Sequence, residues 1–264
     1  MTTAPPPLAP DIAAGLRRLK LATMRQLAPE LLVTAKTQRR APEELLRTLI
    51  DAEITARDAS SAAIRMKTAA FPVIKTLDEL DRSACSVPGP TPGYLASLEW
   101  ITALENLCLV GPAGTGKSHV LVALGVAAVR AGHKVRYFTA ADLTETLYRG
   151  LAGNSAGKVI ENLLRNDLIL IDEAGFAPLD DTGAQLLFRI VSAACERRSL
   201  GVASHWPFEQ RGRFLPEHTT AVSLPDRLLH HASVVGHRRR FLPHAASQSE
   251  RSQPPEQALN QPEG

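Results

Sequence analysis

The chain has 264 residues and a mass of 28.5 kDa, with 44% hydrophobic residues, 22% charged residues and a mean hydropathy of −0.07, values that fit one large or two small domains around a buried core. No apolar run reaches the roughly 18 residues of a membrane-spanning helix, which excludes such a span, and aromatic residues at 5% are too few for a carbohydrate-type stacking surface. Net charge is +3 with a pI near 8.9, a basic balance compatible with a nucleic-acid partner, and it is uneven: residues 1–70 hold 11 Lys and Arg against 7 Asp and Glu. That surplus fits either a solvated helix face or one that touches DNA.

Met1 to Pro10 is Pro-rich, lacks the basic-then-apolar order of a signal peptide and reads as a disordered leader. Cys85, Cys108 and Cys195 are odd in number and form no CxxC pair, so neither a zinc site nor a disulfide framework is expected, and a reducing, cytoplasmic compartment fits. From residue 11 to 70 the periodicity is helical: Leu16, Leu19, Met24, Leu27 and Leu31 mark a first segment. A second helix starts at Pro42, with Glu43 and Glu44 in its first turn, and carries a stripe of Leu45, Leu46, Leu49, Ile50 and Ile54 read mostly as core. Two or three helices make a small all-α N-terminal domain that needs a docking partner to bury much surface. Residues 71–103 read as a joint, with Thr76 and Glu79 at capping-box spacing and a turn-rich SVPGPTPG at 86–93.

After residue 104 short apolar runs alternate with helical stretches. Strands are expected at 106–110, 135–138, 168–171, 201–204 and 233–235, and helices at 118–131, 141–149, 158–164 and 182–196. Thr139 is placed to cap the second of these helices. The alternation predicts an α/β domain over 104–242 with a parallel five-stranded sheet covered on both faces. Residues 243–264, rich in Ser, Gln, Pro and Glu, read as a disordered tail.

Gly111-Pro112-Ala113-Gly114-Thr115-Gly116-Lys117-Ser118 fits G-x-x-x-x-G-K-[ST] between a strand and a helix, with His119 following. Its glycines let backbone N–H groups turn inward on a phosphate, Lys117 adds a charge at the β- and γ-phosphates, Ser118 can ligate Mg²⁺, and the helix N-terminus adds partial positive charge. The run Leu168-Ile-Leu-Ile-Asp172-Glu173 ends an apolar strand in two carboxylates, which are costly beside a core unless something employs them. With the phosphate loop, they read as an ATP-hydrolysing pair: Asp172 holds Mg²⁺ and Glu173 polarises the attacking water. His205, after the 201–204 strand, is a candidate γ-phosphate sensor or an ordinary loop histidine. Arg227 is a candidate arginine finger directed at a neighbouring subunit's nucleotide, or pairs locally with Asp226 or Glu217.

These motifs, with FPVIKTLDELD (71–81), ALGVAAVRAGHKVRYFTAADL (123–143), DLILIDEAGFAPLD (167–180), GAQLLFRIVSAACERRSLGVASHWPF (183–208) and DRLLHH (226–231), resemble the IstB-like helper ATPases of bacterial insertion sequences. That family lies in the AAA+ group with the DnaC-type helicase loaders, and the likeness covers about residues 12–235. The resemblance implies an AAA+ P-loop fold with the 201–204 strand between the two catalytic strands. It also implies ATP-dependent binding of double-stranded DNA, homo-oligomerisation with nucleotide shared between subunits, and a partner transposase from the same element. A membrane partner is not expected. Arg17, Arg18, Arg39, Arg40 and the run Arg238–Arg240 are candidate phosphate contacts by charge. Three positions depart from the family pattern: His205 where Asn is common, Pro225 where an apolar residue is common, and the ending after Val235. The altered ending is expected to weaken DNA grip or folding. A replicative helicase loader, a small-molecule P-loop kinase and a non-hydrolysing scaffold are the alternative readings.

Overall fold

The computed structural model describes residues 4–79, 91–174, 180–205, 227–228 and 232–236. Three helices open the chain: α1 (Pro10–Arg18), α2 (Ala22–Gln38) and α3 (Pro42–Ala69). Pro10 and Asp11 start α1 and Arg17 and Arg18 close it, an order that matches the helix dipole. The first helical segment of the sequence divides at Leu19–Leu21, where Lys20 takes φ 57°, so Leu16 sits on α1 while Met24, Leu27 and Leu31 sit on α2.

One buried acid on α3 ties it to the start of α2 and, through Arg57, to the turn after α1. Glu53, 6% exposed on α3, accepts the N–H groups of Thr23 and Met24 through Oε2 at 2.8 and 3.0 Å, and so caps the start of α2. Its Oε1 accepts Arg57 Nε at 2.9 Å, and Arg57 in turn donates to the Lys20 carbonyl at 2.8 Å. The Met24 backbone bond, aided by Arg57 and Thr23 and opposed by desolvation, holds the Glu53 carboxyl below its usual range. A lowered folded value means that the stabilisation is complete above the ordinary carboxylate range and is lost as pH falls through that lowered value. Amide exchange at Thr23 and Met24 is therefore expected to accelerate on acidification, and to be already fast at neutral pH in Glu53→Gln.

The α3 stripe departs from its core reading. Leu49 is buried, but Leu46, Ile50 and Ile54 are 53%, 41% and 52% exposed. The reason is that α3 packs on α2 along a seam through Leu49 and Glu53, which turns the Leu46–Ile50–Ile54 row outward.

Residues 91–103, the end of the expected joint, form α4 (Thr91–Ser97) and α5 (Glu99–Thr102), and Leu95, Leu98, Trp100 and Ile101 are buried with the sheet. Upstream, the Thr76 N–H donates to Glu79 Oε2 at 3.2 Å, one half of a capping box. Then come β1 (Asn106–Val110), α6 (Lys117–Arg130), β2 (Val135–Thr139), α7 (Ala140–Ala152), α8 (Ala156–Leu163), β3 (Leu168–Ala174), α9 (Asp181–Ala194), β4 (Ser199–Ser204) and β5 (Ala232–Gly236). Among the described residues the strand pairs are parallel, in the order β2-β3-β4-β1-β5, so β4 lies between β1 and β3 as expected. Strand residues alternate between two cores. Leu107, Leu109, Tyr137, Leu168 and Leu170 face α6, while Cys108, Phe138, Ile169, Ile171 and Val202 face α7, α8 and α9. Burial pushes the Cys108 thiol up to about 12.

Leu170 on β3 fills space left by two glycines. A Cβ at Gly125 on α6 would lie 2.6 Å from Leu170 Cδ1 and 2.8 Å from the Phe71 ring, and one at Gly201 on β4 would lie 2.5 Å from Leu170 Cδ2. Gly125→Ala is expected to cost about 1–3 kcal/mol in denaturant unfolding, since a rigid ring as well as a leucine must move.

Candidate nucleotide site

The site lies at the carboxyl ends of β1, β3 and β4, where open parallel sheets bind their ligands. β1 runs into Gly111, and the next residues make no regular structure until α6 begins at Lys117. Gly114 and Gly116 take φ 78° and 84°, left-handed values that a β-carbon would strain, and Gly116 is the N-cap of α6. Pro112, Ala113 and Gly114 are exposed, leaving the rim of the loop open. Lys117 is only 5% exposed, and its Nζ donates to the Pro112 carbonyl at 2.8 Å, as does the Thr115 hydroxyl at 2.9 Å. Burial lowers the Lys117 ammonium below its usual value, and the nearby Asp172 charge partly opposes that. His119, half-buried on the first turn of α6, places Nε2 3.2 Å from the Thr76 carbonyl and so ties the loop to the 71–79 segment.

Asp172, 4% exposed on β3, meets three donors. Its Oδ1 accepts the Ser118 hydroxyl at 3.0 Å and the Glu173 N–H at 2.8 Å, and its Oδ2 accepts the Tyr137 hydroxyl at 2.9 Å. Tyr137 is 9% exposed, and burial and the Asp172 charge push its phenol above the usual value. Among the described residues there is no cluster of three or more acidic, His or Cys ligands. Mg²⁺ does not need one, because it binds through one or two protein oxygens plus substrate phosphates. The Ser118 hydroxyl and the Asp172 carboxylate fit that requirement.

Glu173 is exposed and takes φ 57°. It lies where β3 slips one residue against β4: Ile171 pairs with Val202, yet Ala174 pairs with Ser204. This bulge breaks the strict alternation of side chains, so Asp172 and Glu173 are not confined to opposite faces, and it places a left-handed non-glycine residue at the site. Ser204 ends β4, between β1 and β3, opposite Val110, and its carbonyl accepts the Gly111 N–H at 3.2 Å. His205, half-buried, is therefore the first residue beyond that junction.

Arg227 is not brought to this loop. It is exposed, and its guanidinium lies 5.6 Å from the centroid of the Phe188 ring on α9. The neighbouring Leu228 carbonyl accepts Asn106 Nδ2 at 3.0 Å, while Asn106 Oδ1 accepts the Leu200 N–H at 3.0 Å. Asn106 opens β1 and the phosphate loop follows its other end, about 13 Å of strand away. Asp226 and Glu217, Pro225, the tail and Arg238–Arg240 lie outside the described residues. Arg17, Arg18, Arg39 and Arg40 are exposed, with Arg40 Nη1 3.9 Å from Glu44.

Sequence reasoning did not find Tyr137, Asn106 or Phe188. The apolar context of each reads as core, and their partners lie 35, 122 and 39 residues away.

Residues 14–240 match the family model for the IstB-like ATP binding protein, five residues past the point where the ending departs from the pattern. The chain is 30% identical to an insertion sequence IS21 ATP-binding protein of Pseudomonas aeruginosa, over 85% of each chain. It is also 30% identical to an insertion sequence IS5376 ATP-binding protein of Geobacillus stearothermophilus, over 82% of this chain and 87% of that one. Among solved structures, DnaI superposes with a TM-score of 0.51 at 14% identity, over 62% of this chain and 91% of DnaI, which shows the AAA+ fold alone. Phosphate loop, acidic strand end and family match agree, and the chain belongs to the IstB-like ATP-binding proteins of insertion sequences.

Proposed function

We propose that this protein is an ATP-hydrolysing switch that assembles on double-stranded DNA with ATP and serves the transposase of its own insertion sequence. The observation that carries the reading is the Ser118–Asp172 contact beside Lys117 and Glu173, on a chain whose relatives are named for insertion sequences. Those names favour transposition over replicative helicase loading, for which the fold likeness to DnaI gives no residue-level support.

The chemistry follows from the donors. Backbone N–H groups of 113–116 and the α6 N-terminus wrap the β-phosphate. Lys117 exchanges the Pro112 carbonyl for phosphate oxygens, an exchange that matches a buried ammonium to anionic partners. Mg²⁺ bound through Ser118 and Asp172 would supply charge neutralisation at the β- and γ-phosphates. Glu173 takes the proton of the attacking water, and His205, beyond β4, donates to the γ-phosphate. Arg227 works on the nucleotide of a neighbouring subunit. Its anchorage near the opposite end of β1 supports that assignment, which requires a homo-oligomer.

Binding of duplex DNA to the purified chain tests the reading. Affinity is expected to be higher with ATP than with ADP and to fall steeply with salt, because the contacts are to phosphates. Removing the charges of Arg17, Arg18, Arg39 and Arg40 together should flatten the salt dependence. DNA affinity that ignores both nucleotide and salt contradicts the proposal.

A further inference from the structure

We propose that Tyr137 is a positioning residue for the metal site: its hydroxyl fixes the Asp172 carboxylate so that Oδ1 stays turned toward Ser118. The inference rests on the Mg²⁺-ATP reading above and extends it to a residue on a strand that carries none of the nucleotide motif.

The geometry leaves the tyrosine little freedom. Thr139 on β2 lies opposite Asp172 on β3, and Tyr137 lies opposite Leu170, so Tyr137 and Asp172 are diagonal neighbours on the sheet face under α6. A long side chain spans that diagonal, and the phenol oxygen reaches Oδ2 at 2.9 Å. Behind it the Phe71 ring lies 6.2 Å away, tilted by 58°. Phe71 in turn closes on Gly125 and packs with the core. The ring is thus held, and its hydroxyl is directed at a carboxylate that is 4% exposed. Ser118 and the Glu173 N–H both approach Oδ1, whereas Tyr137 donates to the opposite oxygen and so sets the rotation of the carboxylate. Carboxylates that ligate metals are commonly held by such a second hydrogen bond, and losing it typically weakens metal affinity by roughly 10–100-fold. A phenylalanine would pack as well here. The hydroxyl is what the position adds.

Fluorescent ATP-analogue binding to the full chain, titrated with Mg²⁺ and repeated in EDTA, tests this without reading turnover. Tyr137→Phe is expected to raise the Mg²⁺ midpoint by about tenfold or more, while nucleotide affinity in EDTA and the melting temperature stay near the parent's. In an Asp172→Ala background the same change is expected to leave the Mg²⁺ midpoint where it is, because the acceptor of the hydroxyl has gone. A midpoint within twofold of the parent, or a shift that persists with Asp172→Ala, overturns the role of Tyr137. If Tyr137→Phe does not fold, Phe71→Leu provides the second variant: it keeps the hydroxyl but frees the ring and should raise the midpoint by a smaller factor, and no shift overturns the proposal. Parent protein whose nucleotide affinity is indifferent to Mg²⁺ overturns the Mg²⁺ reading itself, and this proposal with it.

Discussion

Glu173→Gln is expected to lower steady-state ATP turnover by roughly 10²–10⁴-fold while leaving ATP affinity within a few-fold of the parent. The amide keeps the size of the carboxylate but cannot accept the proton of the attacking water. Lys117 and Asp172, proposed to hold the phosphates and Mg²⁺, are untouched, and so is the backbone bond from the Glu173 N–H to Asp172. The left-handed backbone at 173 is also shared by the variant, so folding should not change. The chain should therefore stay in its ATP state, and duplex DNA binding with ATP should persist far longer than in the parent. Turnover at parental rates would remove Glu173 from the chemistry. Loss of ATP binding along with turnover would mean that Glu173 acts in holding the nucleotide.

Arg227→Ala is expected to lower turnover by roughly 10³–10⁵-fold, the range associated with an arginine finger. Mixing separates an action between subunits from one within them. The Arg227→Ala chain keeps Glu173, and the Glu173→Gln chain keeps Arg227. At their shared interfaces one complete site is rebuilt, so turnover in the mixture should rise well above that of either variant alone. A mixture as slow as its components contradicts the trans assignment and leaves Arg227 as the partner of Phe188.

How much of this was legible in the sequence depends on how locally each feature is encoded. The phosphate loop is one contiguous string whose chemistry sits in the residue types, and the acidic strand end is another. The parallel sheet was legible too, since apolar runs alternating with helical periodicity leave few topologies open. Features made by contact between distant segments were not. Tyr137 reads as one more apolar strand position until β2 pairs with β3 and brings its hydroxyl to Asp172. Asn106 reads as a strand boundary, yet its amide joins β1, β4 and the segment that carries Arg227. The bulge at Glu173 escapes because LILIDEA looks like a regular strand, and only the register against β4 shows the extra residue. The α3 stripe misled for a related reason: periodicity shows that residues share a face, but not that a buried Glu53 shifts the seam past Ile50.

The most direct test of the central claim is steady-state ATP turnover by the purified chain, first alone and then with increasing duplex DNA at low salt. Measurable turnover is expected, changing with DNA and returning to its basal rate as salt strips the phosphate contacts. Turnover that is unaffected by DNA at any concentration would contradict it.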